Sequence, residues 1–150
     1  MRRFYLVRHK IGAVNRNDFQ DLARTRIREA QALFGSGEYS GAYYLIGHAV
    51  ECALKACIAK KIKRHDFPDR KTVNDSYTHD LDKLAMLADL RPSLQQRTQV
   101  DQQFAANWEV AQLWSEDSRY FRTNRRDSKR LIDAIMDEDH GVMSWVTRHW

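Results

Sequence analysis

The chain has 150 residues, enough for one domain with a sizeable core at about 100–200 residues per domain, and its 43% hydrophobic and 30% charged residues are those of a soluble globular protein. Six glycines and two prolines leave few places where the backbone must break, which argues against collagen-like repeats, low-complexity linkers and a turn-rich β-sandwich and favours long helices. Lys and Arg number 25 against 20 acids, a net charge of +5, which favours a polyanionic partner. The surplus is concentrated. Residues 1–28 carry Arg2, Arg3, Arg8, Lys10, Arg16, Arg24, Arg26 and Arg28 against Asp18 and Asp21. Residues 119–130 carry Arg119, Arg122, Arg125, Arg126, Lys129 and Arg130 against Asp127. Solvated helix faces and a basic tail are the simpler account of such runs, and a phosphate-binding surface the sharper one.

The apolar run Phe4-Tyr5-Leu6-Val7 ends at Arg8 and is too short for a secretory leader, so a cytoplasmic protein is expected. Residues 1–16 read as a basic N-terminal segment and 17–150 as a single helical domain. From Asn17, Phe19, Leu22/Ala23, Ile27, Ala30 and Leu33/Phe34 recur at helical spacing until Gly35-Ser36-Gly37 stops them. A second helix is expected from Glu38 to about Lys63, with a wide apolar arc and small residues (Gly41, Ala42, Gly47, Ala49, Ala53, Ala56) that admit a close neighbour, within the chain or across a dimer. His48, Glu51 and Lys55 interrupt its most apolar stretch, Gly41 to Ala59, so it is no membrane span, which needs about 20 mostly uncharged residues.

A linker is expected from Arg64 to Tyr77, around Pro68 and Asn74-Asp75-Ser76. Thr78 then reads as the N-cap of a short helix through Leu87, with Asp80 and Asp82 at its positive end. Pro92 opens a fourth helix whose stripe Phe104, Trp108, Ala111 and Trp114/Ser115 places both tryptophans in the core. After a break at Ser118 to Thr123, Asn124 caps a fifth helix interrupted at Gly141. The expected fold is all-α, an up-and-down antiparallel bundle of about five helices.

Cys52 and Cys57, the only cysteines, point about 140° apart on the second helix and cannot bridge locally, so they read as buried free thiols. His48-x-x-Glu51 and Asp137-x-x-His140 each give a single pair, short of the inward-facing set a metal site in a bundle needs. No metal and no cofactor is expected. On the second helix Tyr44, His48, Glu51 and Lys55 fall at about 0°, 40°, −20° and 20°, one narrow polar stripe. The stripe either faces solvent, the simpler reading, or lines a cleft where its groups satisfy one another. In a cleft, a histidine beside a carboxylate and a lysine has its titration moved toward the range of acid–base chemistry.

The stretch Gly37-Glu38-Tyr39-Ser40-Gly41-Ala42-Tyr43-Tyr44-Leu45-Ile46-Gly47-His48-Ala49-Val50-Glu51-Cys52-Ala53-Leu54-Lys55-Ala56 resembles the second helix of HEPN domains. Thr78-His79-Asp80-Leu81-x-x-Leu84 and Trp114-x-x-x-x-Arg119-Tyr120 resemble later blocks of that family in the same order, so the likeness covers roughly residues 18–135. It implies an up-and-down helical bundle, commonly a homodimer, in prokaryotic toxin–antitoxin and phage-defence systems, often beside a nucleotidyltransferase partner. Active members are metal-independent ribonucleases with an arginine and a following histidine separated by four to six residues. This chain departs from that pattern: Arg119, Arg122, Arg125 and Arg126 have no histidine at the required distance, and the matching spacings, Arg3 to His9 and Arg2 to His9, fall in the basic segment.

Three functional expectations follow. The first is a HEPN-like module that binds RNA, a nucleotide or a partner protein without the standard nuclease site, with Arg119, Arg122, Arg125 and Arg126 on phosphates and Tyr120 stacked on a base. The second is a ribonuclease with a rearranged site, in which Arg119 steadies the phosphate, His79 or His48 moves the proton and Glu51 orients the histidine. The third is a non-catalytic dimeric scaffold or antitoxin-like subunit.

Overall fold

The computed structural model describes residues 14–62, 67 and 69–150, which form an all-α helical bundle with no strand among them. Most of the basic N-terminal segment, His9 included, lies outside the described residues. Helix α1 (Arg16–Gly35) begins at Asn15, whose side chain accepts from the Asp18 amide while Asp18 accepts from the Asn15 amide, a complete capping box. It ends at Gly37, where φ is +82°, a conformation glycine adopts without strain. The chain then reverses into α2 (Tyr39–Lys61), and the two helices pack along one another as a hairpin.

Helix α2 is buried on nearly every side, and besides α1 it meets the helices Leu81–Leu87, Arg125–Met136 and Val142–Val146 and the 3₁₀ helix Glu116–Tyr120. Ile46, Val50, Ala53 and Leu54 are wholly inaccessible, and each large apolar side chain so buried contributes about 1.5–3 kcal/mol. The small residues let neighbours of the same chain approach. A Cβ on Gly47 would lie 2.3 Å from the Trp114 indole, and one on Gly41 would lie 3.1 Å from Leu33. Cys52 and Cys57 are buried free thiols, as their spacing requires.

Beyond α2 the helices are shorter and more numerous than the periodicity predicts. The expected linker holds a helix of its own, α3 (Arg70–Asp75), started by Asp69 accepting from Thr72. Helix α4 (Leu81–Leu87) is capped by Asp80, which accepts from the Lys83 amide; Thr78 instead accepts from the Asp80 amide, so the cap sits two residues later than expected. The single fourth helix is two, α5 (Arg91–Val100) and α6 (Gln102–Gln112), because Asp101 is extended and caps α6 by accepting from Phe104. The segment expected as a break begins inside the 3₁₀ helix Glu116–Tyr120. Helix α7 (Arg125–Met136) starts at the Asn124 cap, and α8 (Val142–Val146) follows Gly141. Trp108 and Trp114 are both core residues, and Trp108 and Phe104 pack edge-on against Trp145.

Candidate functional site

The polar stripe of α2 faces inward, which corrects the solvent-facing reading. Glu51 is 2% exposed, and a carboxylate so placed persists only when its oxygens are satisfied. Lys55 Nζ lies 2.9 Å from Oε1, as does His79 Nδ1, and His48 Nδ1 lies 3.4 Å from Oε2. Lys55 and His48 arrive from the same helix face, one turn away on either side. His79 arrives from the segment before α4, where Asp80 starts the helix and leaves the preceding residue against α2.

A second carboxylate, which the sequence reading passed over, extends the cluster. Glu116 Oε2 lies 2.9 Å from His79 Nε2, and its Oε1 lies 2.9 Å from Arg119 Nη1. The 3₁₀ helix presents both residues on one side, three positions apart, and Trp114, seated on Gly47, fixes where that helix begins. A continuous chain of ion pairs therefore runs Lys55–Glu51–His79–Glu116–Arg119. Exposure grades along it: the side chain of Glu51 is 3% exposed, that of Glu116 30%, and those of His79 and Arg119 41% and 43%. Glu51 is the anchor, and His79, Glu116 and Arg119 are the part a ligand reaches.

Burial alone would raise the Glu51 carboxyl; hydrogen bonds from His48, Lys55 and His79 outweigh it and hold it at about 2. Cys52 Sγ, 3.8 Å from Nε2, and Glu51 on the other ring nitrogen raise His48 to about 9, so it is a cation at neutral pH. Tyr44 stacks on the His48 ring with the planes 7° apart. Both nitrogens of His79 face carboxylates: Nδ1 is hydrogen-bonded to Glu51, and Nε2 lies 2.9 Å from Glu116 Oε2. Lys55, Arg119 and the His48 cation oppose Glu51 and Glu116, and the cluster borders a cleft of about 460 Å³ whose lining includes His79, Trp114 and Ser115 and is acidic, with Asp80, Asp82, Glu116 and Asp117.

Of the expected site residues, His48, Glu51, His79 and Arg119 thus share one cluster. The rest of the expected phosphate-binding set lies elsewhere. Tyr120 is exposed with the Arg119 guanidinium 4.8 Å above its ring. Arg122 lines an adjoining cleft of about 390 Å³ with Tyr43, Phe121 and Arg130. Arg125 and Arg126 line a groove of about 1050 Å³ between α6 and α7, together with Lys129 and Arg130. These spaces are contiguous, because Leu113, 73% exposed, borders all three. Among the described residues Arg122, Arg126 and Arg130 make no ion pair, whereas Lys129 pairs with Asp133 and Arg125 lies over the Phe34 ring. Glu109, Asp133 and Asp137 on the groove wall moderate its charge.

Glu116 has a signal in the sequence: an acid three residues before Arg119 on one short helical turn is a standard pairing distance. Its tie to His79, 37 positions earlier, has none. Comparison with protein families, with curated proteins and with solved structures finds no match to this chain.

Proposed function

We propose that the chain is a HEPN-like RNA-binding module, working as a homodimer and without the family's usual nuclease motif. One observation carries the reading: the clefts sharing Leu113 adjoin one another from His79 to Arg126, and the two beside α7 are lined by Arg122, Arg126 and Arg130, which make no ion pair among the described residues, with Tyr120 and Phe121 exposed nearby. Cations along a groove take backbone phosphates, and rings at its edge take unstacked bases, which are the two elements of single-strand binding. A prokaryotic toxin–antitoxin or defence setting, with a nucleotidyltransferase-type partner, is the context the resemblance supplies.

The test is a gel shift of labelled single-stranded and structured RNAs in EDTA at two salt concentrations, with cleavage read in the same lanes. The expected result is a shift that weakens as salt rises, since each neutralised phosphate releases counterions. Arg126→Glu with Arg130→Glu should abolish the shift while leaving the melting temperature within a degree or two, because both side chains are exposed and unpaired. A salt-independent shift, or none, overturns the reading and directs attention to the dimeric scaffold.

A ribonuclease with a rearranged site is the second reading, favoured by the 2.9 Å pair of Glu51 with His79 and by Arg119 one carboxylate away. There the RNA 2′-oxygen would attack the phosphorus, giving its proton to water, as the bond to the 5′-oxygen breaks; His79 would protonate that leaving oxygen from Nε2 and Arg119 would steady charge on the phosphate. Cleavage lost in His79→Ala selects this reading over simple binding.

A further inference from the structure

The Glu116 carboxylate stands where a ligand anion would stand. Its two oxygens, each 2.9 Å from a nitrogen, meet His79 from the segment before α4 and Arg119 from the 3₁₀ helix. The two non-bridging oxygens of a phosphodiester, sharing one negative charge, make the same paired contact with the N–H of an imidazole ring and with a guanidinium. One of the two partners is fixed from behind, because buried Glu51 holds His79 by Nδ1 at 2.9 Å and so aims Nε2 outward. The carboxylate itself is held far less firmly. It rides on a five-residue 3₁₀ helix that no side chain caps, and its pairs with half-exposed partners are of the weak, solvent-screened kind. The cleft it borders, about 460 Å³, has Asp80, Asp82 and Asp117 on its other walls, so His79 and Arg119 are the groups there that take a phosphate.

We propose that Glu116 is a built-in occupant of a phosphodiester site formed by His79 and Arg119, displaced when an RNA backbone phosphate takes its place. The identity of the incoming anion rests on the RNA-binding reading above; the occupancy itself rests on the geometry alone. A backbone phosphate competes better than free phosphate at the same site because its neighbours are held at once by Arg122 and Arg130 on the continuous surface. Glu116 thereby sets a threshold: a strand that engages only His79 and Arg119 does not open the site, and one that also lies along the groove does.

The decisive variant is Glu116→Gln, which keeps size and shape and removes the charge. It is compared with the unmutated protein in two measurements: gel shift of a labelled single-stranded 12-mer RNA, and ¹⁵N NMR of the His79 ring during titration with inorganic phosphate, with thermal melts confirming that both proteins are folded. The expected result is RNA affinity about three- to fivefold higher in the variant, the scale of an exposed ion pair, and His79 signals that move at lower phosphate concentration than in the unmutated protein. Unchanged or weaker RNA binding by the variant, with the unmutated protein still binding, overturns the occupant and leaves the RNA reading standing. A His79 response to phosphate that is enhanced in the variant, with RNA bound by neither protein, supports the occupant and overturns the RNA reading. His79 signals that respond equally in both proteins, or in neither, overturn the occupant.

Discussion

Glu51 shows how one residue links stability to the site. Its carboxylate is buried and holds the Lys55 and His48 cations and the His79 ring, so removing its charge leaves Lys55 and His48 facing each other without a counter-ion. Glu51→Gln should therefore cost about 3 kcal/mol in urea unfolding, the lower end for breaking a buried pair because His79 stays within reach of water. The pH dependence follows from both shifts. Glu51 is depressed from 4.5 to about 2, so its stabilisation is complete above pH 4.5 and is lost as pH falls through that interval. His48 is raised from 6.5 to about 9, so its stabilisation is complete below pH 6.5 and is lost as pH rises toward 9. Melting temperature should peak between about pH 4.5 and 6.5. Glu51→Gln should shrink the acid limb by the Glu51 share and keep part of the alkaline one, since Cys52 also supports the His48 cation.

The elements owe their positions to a few close approaches, and Gly47 is the clearest. Alanine is the better helix former by about 1 kcal/mol, which by itself would stabilise α2. A Cβ there, 2.3 Å from the Trp114 ring, forces the indole away, and the indole is 3% exposed and stacked on Tyr44, a contact the shift would break. The clash wins, so Gly47→Ala should lower stability by about 1–2 kcal/mol net and shift the start of the 3₁₀ helix that carries Glu116 and Arg119. Loss of RNA binding in a still-folded Gly47→Ala protein is the expected readout. The same contact marks the limit of what the sequence tells. Apolar spacing and turn residues place α1, α2 and α7 to within a few residues, and the polar stripe of α2 picks out Glu51 and His48. Whether the stripe faces water depends on His79 and Glu116, which approach from distant segments and leave no periodic trace. The division of α5 from α6 is hidden for a related reason: Asp101 breaks the helix only because its side chain is committed elsewhere.

At the scale of the whole molecule, Asp101 fastens two halves of the bundle much as Glu51 fastens the site. Its carboxylate caps α6, accepts from Arg97 at 3.0 Å and meets His140 Nδ1 at 2.8 Å. The loop carrying His140 is held twice more, by Asn107 donating to the His140 carbonyl and Arg97 to that of Asp139. The hydrogen bond between them depresses Asp101 and raises His140. Stabilisation from Asp101 is thus lost as pH falls through the ordinary range of its carboxyl, and that from His140 is lost as pH climbs above 6.5. Both clusters therefore weaken at the same two ends of the pH scale, yet they share no residue and no hydrogen bond. Perturbations at separate sites add, whereas those within one network do not. Asp101→Ala should lower the melting temperature, flatten both limbs of its pH profile and leave the His79 ring signals where they are. In the double variant with Glu51→Gln the two shifts should sum. A double variant no less stable than the worse single one would show that the clusters act as one cooperative network through α2 and α6.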